Sequence, residues 1–105
     1  MAKRFLSLVL LAALAGCVFV QPTVEGKKVR VLTAGEVERC RLVSTLTAQV
    51  TDRIGNIPRS REAVEDDVLQ HAKNEAAVLG GDTIVAVSEL AEGRQTFNVY
   101  SCLKP

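Results

Sequence analysis

The stretch that decides the fold is residues 62–87, EAVEDDVLQHAKNEAAVLGGDTIVAV, where a helical apolar period gives way to a continuous apolar run. In its first part, apolar residues recur every three or four positions, which is the spacing of a helix with one buried face. These residues are Val64, Val68, Leu69, Ala72, Ala76 and Leu79. Gly80-Gly81 then ends the helix, because glycine readily adopts the left-handed conformation of a C-terminal cap. The stretch therefore predicts an amphipathic helix from Glu62, followed by a buried strand over residues 83–87.

The flanking sequence predicts strands on both sides of this helix. Two strands are expected before it, over residues 29–33 and 40–51, and a loop over residues 52–61 leads to the helix. After the buried strand, a turn at residues 92–94 precedes a last strand over residues 95–103, which forms a hairpin with it. The predicted fold class is α+β, with the order β-β-α-β-β. One amphipathic helix packs on an antiparallel or mixed sheet.

The amino-terminal residues have the order of a secretory signal. A basic pair, Lys3-Arg4, is followed by the apolar run Phe5–Ala13 and by small residues that lead into a cysteine. The tetrapeptide Leu14-Ala15-Gly16-Cys17 resembles the bacterial lipobox. That resemblance implies cleavage after Gly16, with diacylglycerol on the thiol of Cys17 and acylation of its new amino end.

Two other interpretations of the same segment are less well supported. A transmembrane helix over residues 5–20 would be 16 residues long, whereas a span needs about 20. Ordinary signal cleavage after Ala15 fits the small-x-small form. It explains neither Gly16-Cys17 nor the number of cysteines in the chain.

The chain has three cysteines, and an odd number in an exported protein leaves one thiol to explain. Lipid on Cys17 accounts for it, and the remaining pair, Cys40 and Cys102, is expected to form a disulfide in an oxidising compartment. Two thiols without a third cysteine or a nearby histidine make an incomplete zinc site, so we predict neither a metal nor another cofactor.

Strict alternation in the strand over residues 40–51 assigns its side chains to two faces. Val43 falls on the wet face as an exception, and Cys102 falls on the face of the last strand opposite Phe97. The disulfide to Cys40 therefore needs either a bulge near Ser101 or a position at the sheet edge. The predicted apolar face holds Cys40, Leu42, Ser44, Leu46, Ala48 and Val50.

These features divide the chain into a lipoprotein signal peptide over residues 1–16, a lipidated flexible tether over residues 17–28, and an α+β domain over residues 29–105. Without the basic pair of the signal, 11 of the 13 basic residues face 12 acidic ones. A chain with nearly equal numbers of basic and acidic residues has no overall positive potential to attract nucleic acid. We therefore exclude nucleic acid as a partner.

The passage from Asn74 to Val85 carries a family resemblance. Its sequence, NEAAVLGGDTIV, resembles the pattern Asn-x-Ala-Ala-x-Leu-Gly-Ala/Gly-Asn/Asp-x-Val of small bacterial lipoproteins of the DUF4156 family. Those lipoproteins are similar in fold to the envelope-stress sensor of the Rcs phosphorelay. That sensor has two domain disulfides, whereas this chain has cysteines for one. The resemblance implies a lipoprotein of the cell envelope and a fold, and no assigned activity.

Few residues suggest chemistry. His71 is the only histidine and has no partner residues at metal-ligand spacing, so we expect it to be solvated. The adjacent carboxylates of Asp66 and Asp67 diverge on a helix and cannot share one metal or proton. A basic cluster in the loop before the helix could contact a partner. Its members are Arg53, Arg59 and Arg61.

We therefore expect no enzyme, but a lipoprotein held to the membrane through Cys17. Its role would be binding or structural, toward an envelope protein or peptidoglycan. Val18 follows the lipidated cysteine and is compatible with sorting to the outer membrane, with the domain facing the periplasm. An envelope-stress sensor subunit is the alternative, and a small metal-binding or hydrolytic protein is a third hypothesis.

Overall fold

One helix lies across a four-stranded mixed sheet in the computed structural model, which describes residues 20–103. The signal peptide, Gly16 and Cys17 lie outside the described residues. The helix α1 spans Arg61–Val78, and short 3-10 turns cover Gly26–Lys28 and Ala34–Glu36. The strands are β1 (Arg30–Val31), β2 (Arg41–Gln49), β3 (Arg53–Ile54), β4 (Ile57–Pro58), β5 (Thr83–Ala86) and β6 (Arg94–Ser101).

The sheet has the strand order β1-β5-β6-β2. β1 pairs with β5 in parallel, and the β5-β6 and β6-β2 pairs are antiparallel. The predicted α+β class is confirmed, and of the two expected sheet types it is the mixed one. In β5, Thr83, Ile84 and Val85 are all buried, as the unbroken apolar run predicted. The buried part is shorter than the predicted residues 83–87, because Ala86 and Val87 are exposed, Val87 by 52%.

The helix packs the predicted apolar stripe onto this sheet, except for Leu79, which follows the last helical residue and is 42% exposed. Its first turn is capped by Ser60, whose Oγ accepts a hydrogen bond from the Ala63 amide at 3.2 Å. At its other end, the amides of Gly80 and Gly81 donate to the carbonyls of Ala77 and Ala76. This is a Schellman cap, in which Gly80 has φ 87°. The core consists of small and branched residues around one aromatic ring: Val29, Ala48, Val64, Val68, Ala72, Ala76, Ile84, Phe97 and Val99.

A β-bulge in β2 corrects the predicted face assignment. Leu42 is opposite Tyr100 and Ser44 is opposite Val99, so Val43 is an extra residue without a partner position. The bulge turns Leu42 to solvent, while Val43 packs against the core. Strict alternation therefore fails at both positions, because the side-chain period restarts at the bulge. The bulge expected near Ser101 lies instead in the partner strand.

The segment predicted as a loop before the helix contains a small hairpin. β3 and β4 pair over Arg53↔Pro58 and Ile54↔Ile57, around a two-residue turn in which Gly55 has φ 63°. Two-residue strands are too short to show an alternating pattern. Within residues 20–103, no helix combines the length and the apolar character that crossing a bilayer requires.

Candidate functional site

Asn74 joins the amino-terminal segment to the helix. Its Nδ2 donates to the Gln21 carbonyl at 2.8 Å, and its Oδ1 accepts from the Thr23 amide at 3.1 Å. The same oxygen accepts from Thr23 Oγ1 at 3.2 Å and from Gln70 Nε2 at 3.0 Å. One side chain on the fourth turn of the helix thus holds backbone that lies 51 to 53 residues earlier in the sequence.

Close packing beneath Asn74 reinforces this attachment. Gly26 is buried, and a Cβ there would collide with Asn74 Oδ1 and Thr23 Oγ1. Its amide donates to Thr23 Oγ1 at 2.8 Å, so the segment turns back onto the helix. Ordered contacts therefore begin at Gln21, before the boundary at Val29 that composition predicted. The cause is the side-chain amide of Asn74, which makes the hydrogen bonds that the backbone of Gln21 and Thr23 would otherwise make to water.

Asp82, two residues after the helix cap, holds the other end of the chain. Its Oδ1 accepts from the Cys102 amide at 2.8 Å and its Oδ2 from the Leu103 amide at 2.9 Å. Thr83 Oγ1 donates to Oδ1 at 2.9 Å. Burial raises the pKa of this carboxyl, but these hydrogen bonds and the nearby charge of Arg30 together lower the pKa below its ordinary value.

The disulfide lies beside this carboxylate. Cys40 and Cys102 are bonded, with Cα atoms 4.6 Å apart, just outside the paired ends of β2 and β6. The predicted pairing is therefore present in the structure, and β2 is an edge strand of the sheet. Asn74, Asp82 and the disulfide tie both ends of the described chain to one end of the domain, which we call the connector end.

The opposite end of the domain is organised by Arg59. Its guanidinium contacts Asp67 Oδ2 at 2.7 Å and the Thr51 carbonyl at 2.8 Å. The side chains of Arg59 and Asp67 are only 6% and 13% exposed. Arg59, predicted as a partner contact, is therefore engaged inside the protein. It fastens the β3-β4 hairpin to the first half of α1.

The other two arginines of the predicted cluster are exposed. Arg53 lies in β3 and Arg61 is the first residue of α1, and both line a shallow cleft with Arg59. Two apolar side chains at the tip of the hairpin, Ile54 and Ile57, are also exposed, Ile57 by 72%. We call these four residues, Arg53, Ile54, Ile57 and Arg61, the hairpin surface.

The acidic residues and the histidine of the described part of the chain are not gathered into a metal site. Within residues 20–103, no three His, Cys, Asp or Glu side chains are grouped to hold a metal ion. His71 is half-buried on the helix, and Asp67, one turn before it, bonds to Arg59 instead. The polar groups that do converge, at Asn74 and Asp82, bind the chain itself.

Sequence reasoning missed Asp82, Thr23 and Gly26 as structural residues. Each acts through partners that are distant in sequence, so local patterns carry only a weak signal for them. Such a signal exists in Thr23, because a threonine hydroxyl can bond to the backbone that follows it in a turn, although more weakly than Asn or Asp does. Another is Asp82 after two glycines, since short acidic side chains favour bonds to free backbone amides.

The fold and these sites define a small α+β domain closed by one disulfide, in which the helix end gathers both ends of the chain. The sequence pattern of the family described as Domain of unknown function (DUF4156) matches residues 20–102. The chain therefore belongs to the DUF4156 family. Comparison with curated proteins and with solved structures finds no match.

Within the family-like stretch, each prominent residue now has a structural position. Asn74 holds the amino-terminal segment, Ala76 is fully buried against the sheet, and Gly80 closes the helix. Asp82 holds the carboxy-terminal end. The motif that suggested the family is thus the part of the chain that connects helix, sheet and both ends.

Proposed function

We propose that this protein is a lipid-anchored lipoprotein of the bacterial cell envelope with a non-catalytic role, binding or structural. Its partner is an envelope protein or peptidoglycan. The anchor is diacylglycerol on Cys17, and the domain faces the periplasm from the outer membrane. Leu14-Ala15-Gly16-Cys17 stands four residues before the point where Asn74 grips the chain. This short distance between anchor and domain is the observation that carries the proposal.

A non-catalytic role is supported by how the polar side chains are used. The polar side chains of Asn74, Asp82 and Arg59 make their hydrogen bonds to the protein's own backbone and side chains. A catalytic group needs a free position toward a substrate. These groups instead make the domain a rigid support for its surface.

We assign the hairpin surface as the region of the domain that contacts the partner. Arg53 and Arg61 offer guanidinium groups for carboxylates, which occur on acidic proteins and on peptidoglycan peptides. Ile54 and Ile57 add exposed apolar area next to them. Because Arg59 braces the hairpin against the helix, this surface is presented in one geometry.

The anchor is tested by expressing the full chain with an alkyne-bearing fatty acid in the medium. We expect label and membrane sedimentation for the native protein, and loss of both in Cys17→Ser. Cys40→Ser is the matched control, because it also removes one thiol but should keep the label. Mass spectrometry of the mature amino terminus that shows no acyl groups would refute the proposal.

The partner surface is tested by photo-crosslinking in cells. A photoreactive phenylalanine analogue at Ile57 should form an adduct with an envelope protein or sediment with purified peptidoglycan. The same analogue at Leu42, also exposed but at the other end of the domain, should not. The adduct should disappear in the Arg53→Ala/Arg61→Ala variant. An adduct of equal strength at both positions would remove the hairpin surface as the contact.

The second candidate is an envelope-stress sensor subunit, similar in fold to the Rcs lipoprotein. The half-buried disulfide favours it, because reduction would free Cys102 next to the amides that Asp82 holds. A folding or redox signal would then change the carboxy-terminal end of the domain. Deletion of the protein that leaves an envelope-stress reporter unchanged would argue against this role.

A further inference from the structure

We propose that the connector end of the domain rests on the membrane surface through a defined patch, and that the hairpin surface faces away from the bilayer. The inference rests on the proposed lipid anchor and names the surface that the anchor brings to the lipid. The patch has four apolar and two basic side chains, all exposed. They are Val24, Val78, Leu79, Leu103, Lys27 and Lys28, which we call the connector patch.

The chain between the anchor and the domain is short. Three residues separate Cys17 from Gln21, and the four steps from one Cα atom to the next reach at most about 14 Å when fully extended. Gln21 is held by Asn74, and the turn at Gly26 is packed on the helix, so no slack is gained from residues 21–28. The backbone of Gln21 must therefore lie within this distance of the backbone of Cys17, which keeps the connector end close to the lipid.

The connector end exposes apolar side chains. Val78 is 82% exposed one helical turn beyond Asn74, on the same face of α1. Val24, 74% exposed, directly follows Thr23, which Asn74 holds. Leu103, Lys28 and Gly80 line one cleft, which places Leu103 beside the end of the helix and the 3-10 turn at Gly26–Lys28. Exposed apolar side chains of this kind fit the headgroup and acyl boundary of a bilayer.

The connector end also carries positive charge. Lys27 and Lys28 are both exposed, and the only ion pair between them and the rest of the described chain joins Lys28 to Glu25 at 3.6 Å. That pair is itself in solvent, with both side chains about 70% exposed, so it binds weakly. The ammonium groups are free to meet anionic phosphates of the lipid headgroups.

The geometry of the helix separates this patch from the hairpin surface. Arg61 and Val78 are the two ends of α1, about 26 Å apart at the rise of an α-helix. With the connector end at the lipid, the hairpin surface is carried outward toward the periplasmic space. The short segment between Cys17 and Gln21 therefore both holds the domain at the membrane and sets its orientation.

Because the chain contains no tryptophan, a single introduced tryptophan reports its own position. We would purify the acylated full chain as Val78→Trp and, as matched control, Ile57→Trp. Both native residues are exposed valine or isoleucine side chains. Each variant is reconstituted in vesicles of phosphatidylethanolamine and phosphatidylglycerol, with and without brominated acyl chains.

We expect bromolipid to quench most of the Val78→Trp emission and to leave the Ile57→Trp emission nearly unchanged. Adding Lys27→Glu and Lys28→Glu to Val78→Trp should reduce the quenching, with circular dichroism confirming the fold. Equal quenching at both positions, or none at Val78→Trp, overturns the inference. A blue-shifted but unquenched Val78→Trp emission also overturns it, by assigning the patch to another protein or a second copy. Mass spectrometry of the same samples separates the two proposals, since an unacylated Cys17 refutes the anchor itself.

Discussion

The two ends of helix α1 make different kinds of contact with the rest of the chain. At the connector end, Asn74, Asp82 and the disulfide hold three separate parts of the chain through bonds that span 20 to 62 residues. At the hairpin end, Arg59 makes bonds across eight residues, and the isoleucines beyond it are exposed. The bonds at the connector end join segments that are distant in sequence, whereas those of Arg59 join residues within eight positions of it. The following experiments test that division.

The largest effect is expected from loss of the disulfide. Cys40→Ala/Cys102→Ala opens a loop with a sequence separation of 62. In the chain-entropy account this lowers the free energy of unfolding by about 4 kcal/mol, as measured by urea denaturation. The native protein in reducing agent is the control and should match the variant. A loss below about 1 kcal/mol would mean that other contacts hold the connector end.

At the hairpin end, the largest effect should come from Arg59. Arg59→Ala leaves the carboxylate of Asp67, 13% exposed, without its partner. We expect a loss of about 2 kcal/mol in the free energy of unfolding, as for a hydrogen bond between charged groups. Arg61→Ala, at an exposed neighbouring position, should change it by less than about 0.5 kcal/mol. Equal losses of unfolding free energy in the two variants would mean that Arg59 contributes no more to stability than an exposed arginine does.

Asn74→Ala tests whether the amino-terminal segment belongs to the domain. It removes the bonds to Gln21 and Thr23, so we expect a loss of about 1 kcal/mol. The sharper readout is hydrogen exchange, which should accelerate at the amides of Thr23 and Gly26. Gly26→Ala should give the same pattern, since its Cβ would displace the Asn74 side chain. Gln70→Ala, which loses one bond to Asn74, should leave the Thr23 amide protected.

The smallest effect is the pH dependence caused by Asp82. Its pKa is lowered in the folded protein, so its ionised form stabilises the fold above about pH 4, and that stabilisation is lost as the pH falls further. Urea unfolding at pH 7 and pH 3 should show this decrease. Asp82→Asn should cost about 1 kcal/mol at pH 7 and flatten the decrease.

The exposed Glu36 supplies the matched control for this titration. Hydrogen bonds from Thr33 also lower its pKa, but they hold only a local turn. Glu36→Gln should therefore flatten the acid slope less than Asp82→Asn does. A larger effect of Glu36→Gln would show that protonation of Asp82 at the connector end is not the main cause of the loss of stability at low pH.

Much of the fold was predictable because its signals are local. The helical spacing from Val64 to Ala76, the cap at Ser60 and the glycine after Leu79 act within one or two turns of backbone. The bulge at Val43 was not predictable, since it depends on the register with β6. The same holds for Arg59, whose arginine neighbours in sequence are exposed while it is buried.

By itself, the sequence determined the helix, the alternating and buried strands, the class of the fold and the pairing of two cysteines. Periodicity and residue chemistry act between near neighbours, and the cysteine count allows few pairings. Only the tertiary structure decided that Asn74 grips the amino-terminal segment and that Asp82 grips the carboxy-terminal end. Such bonds form when distant backbone and side chains are brought to hydrogen-bond distance, and packing of the helix on the sheet brings them there.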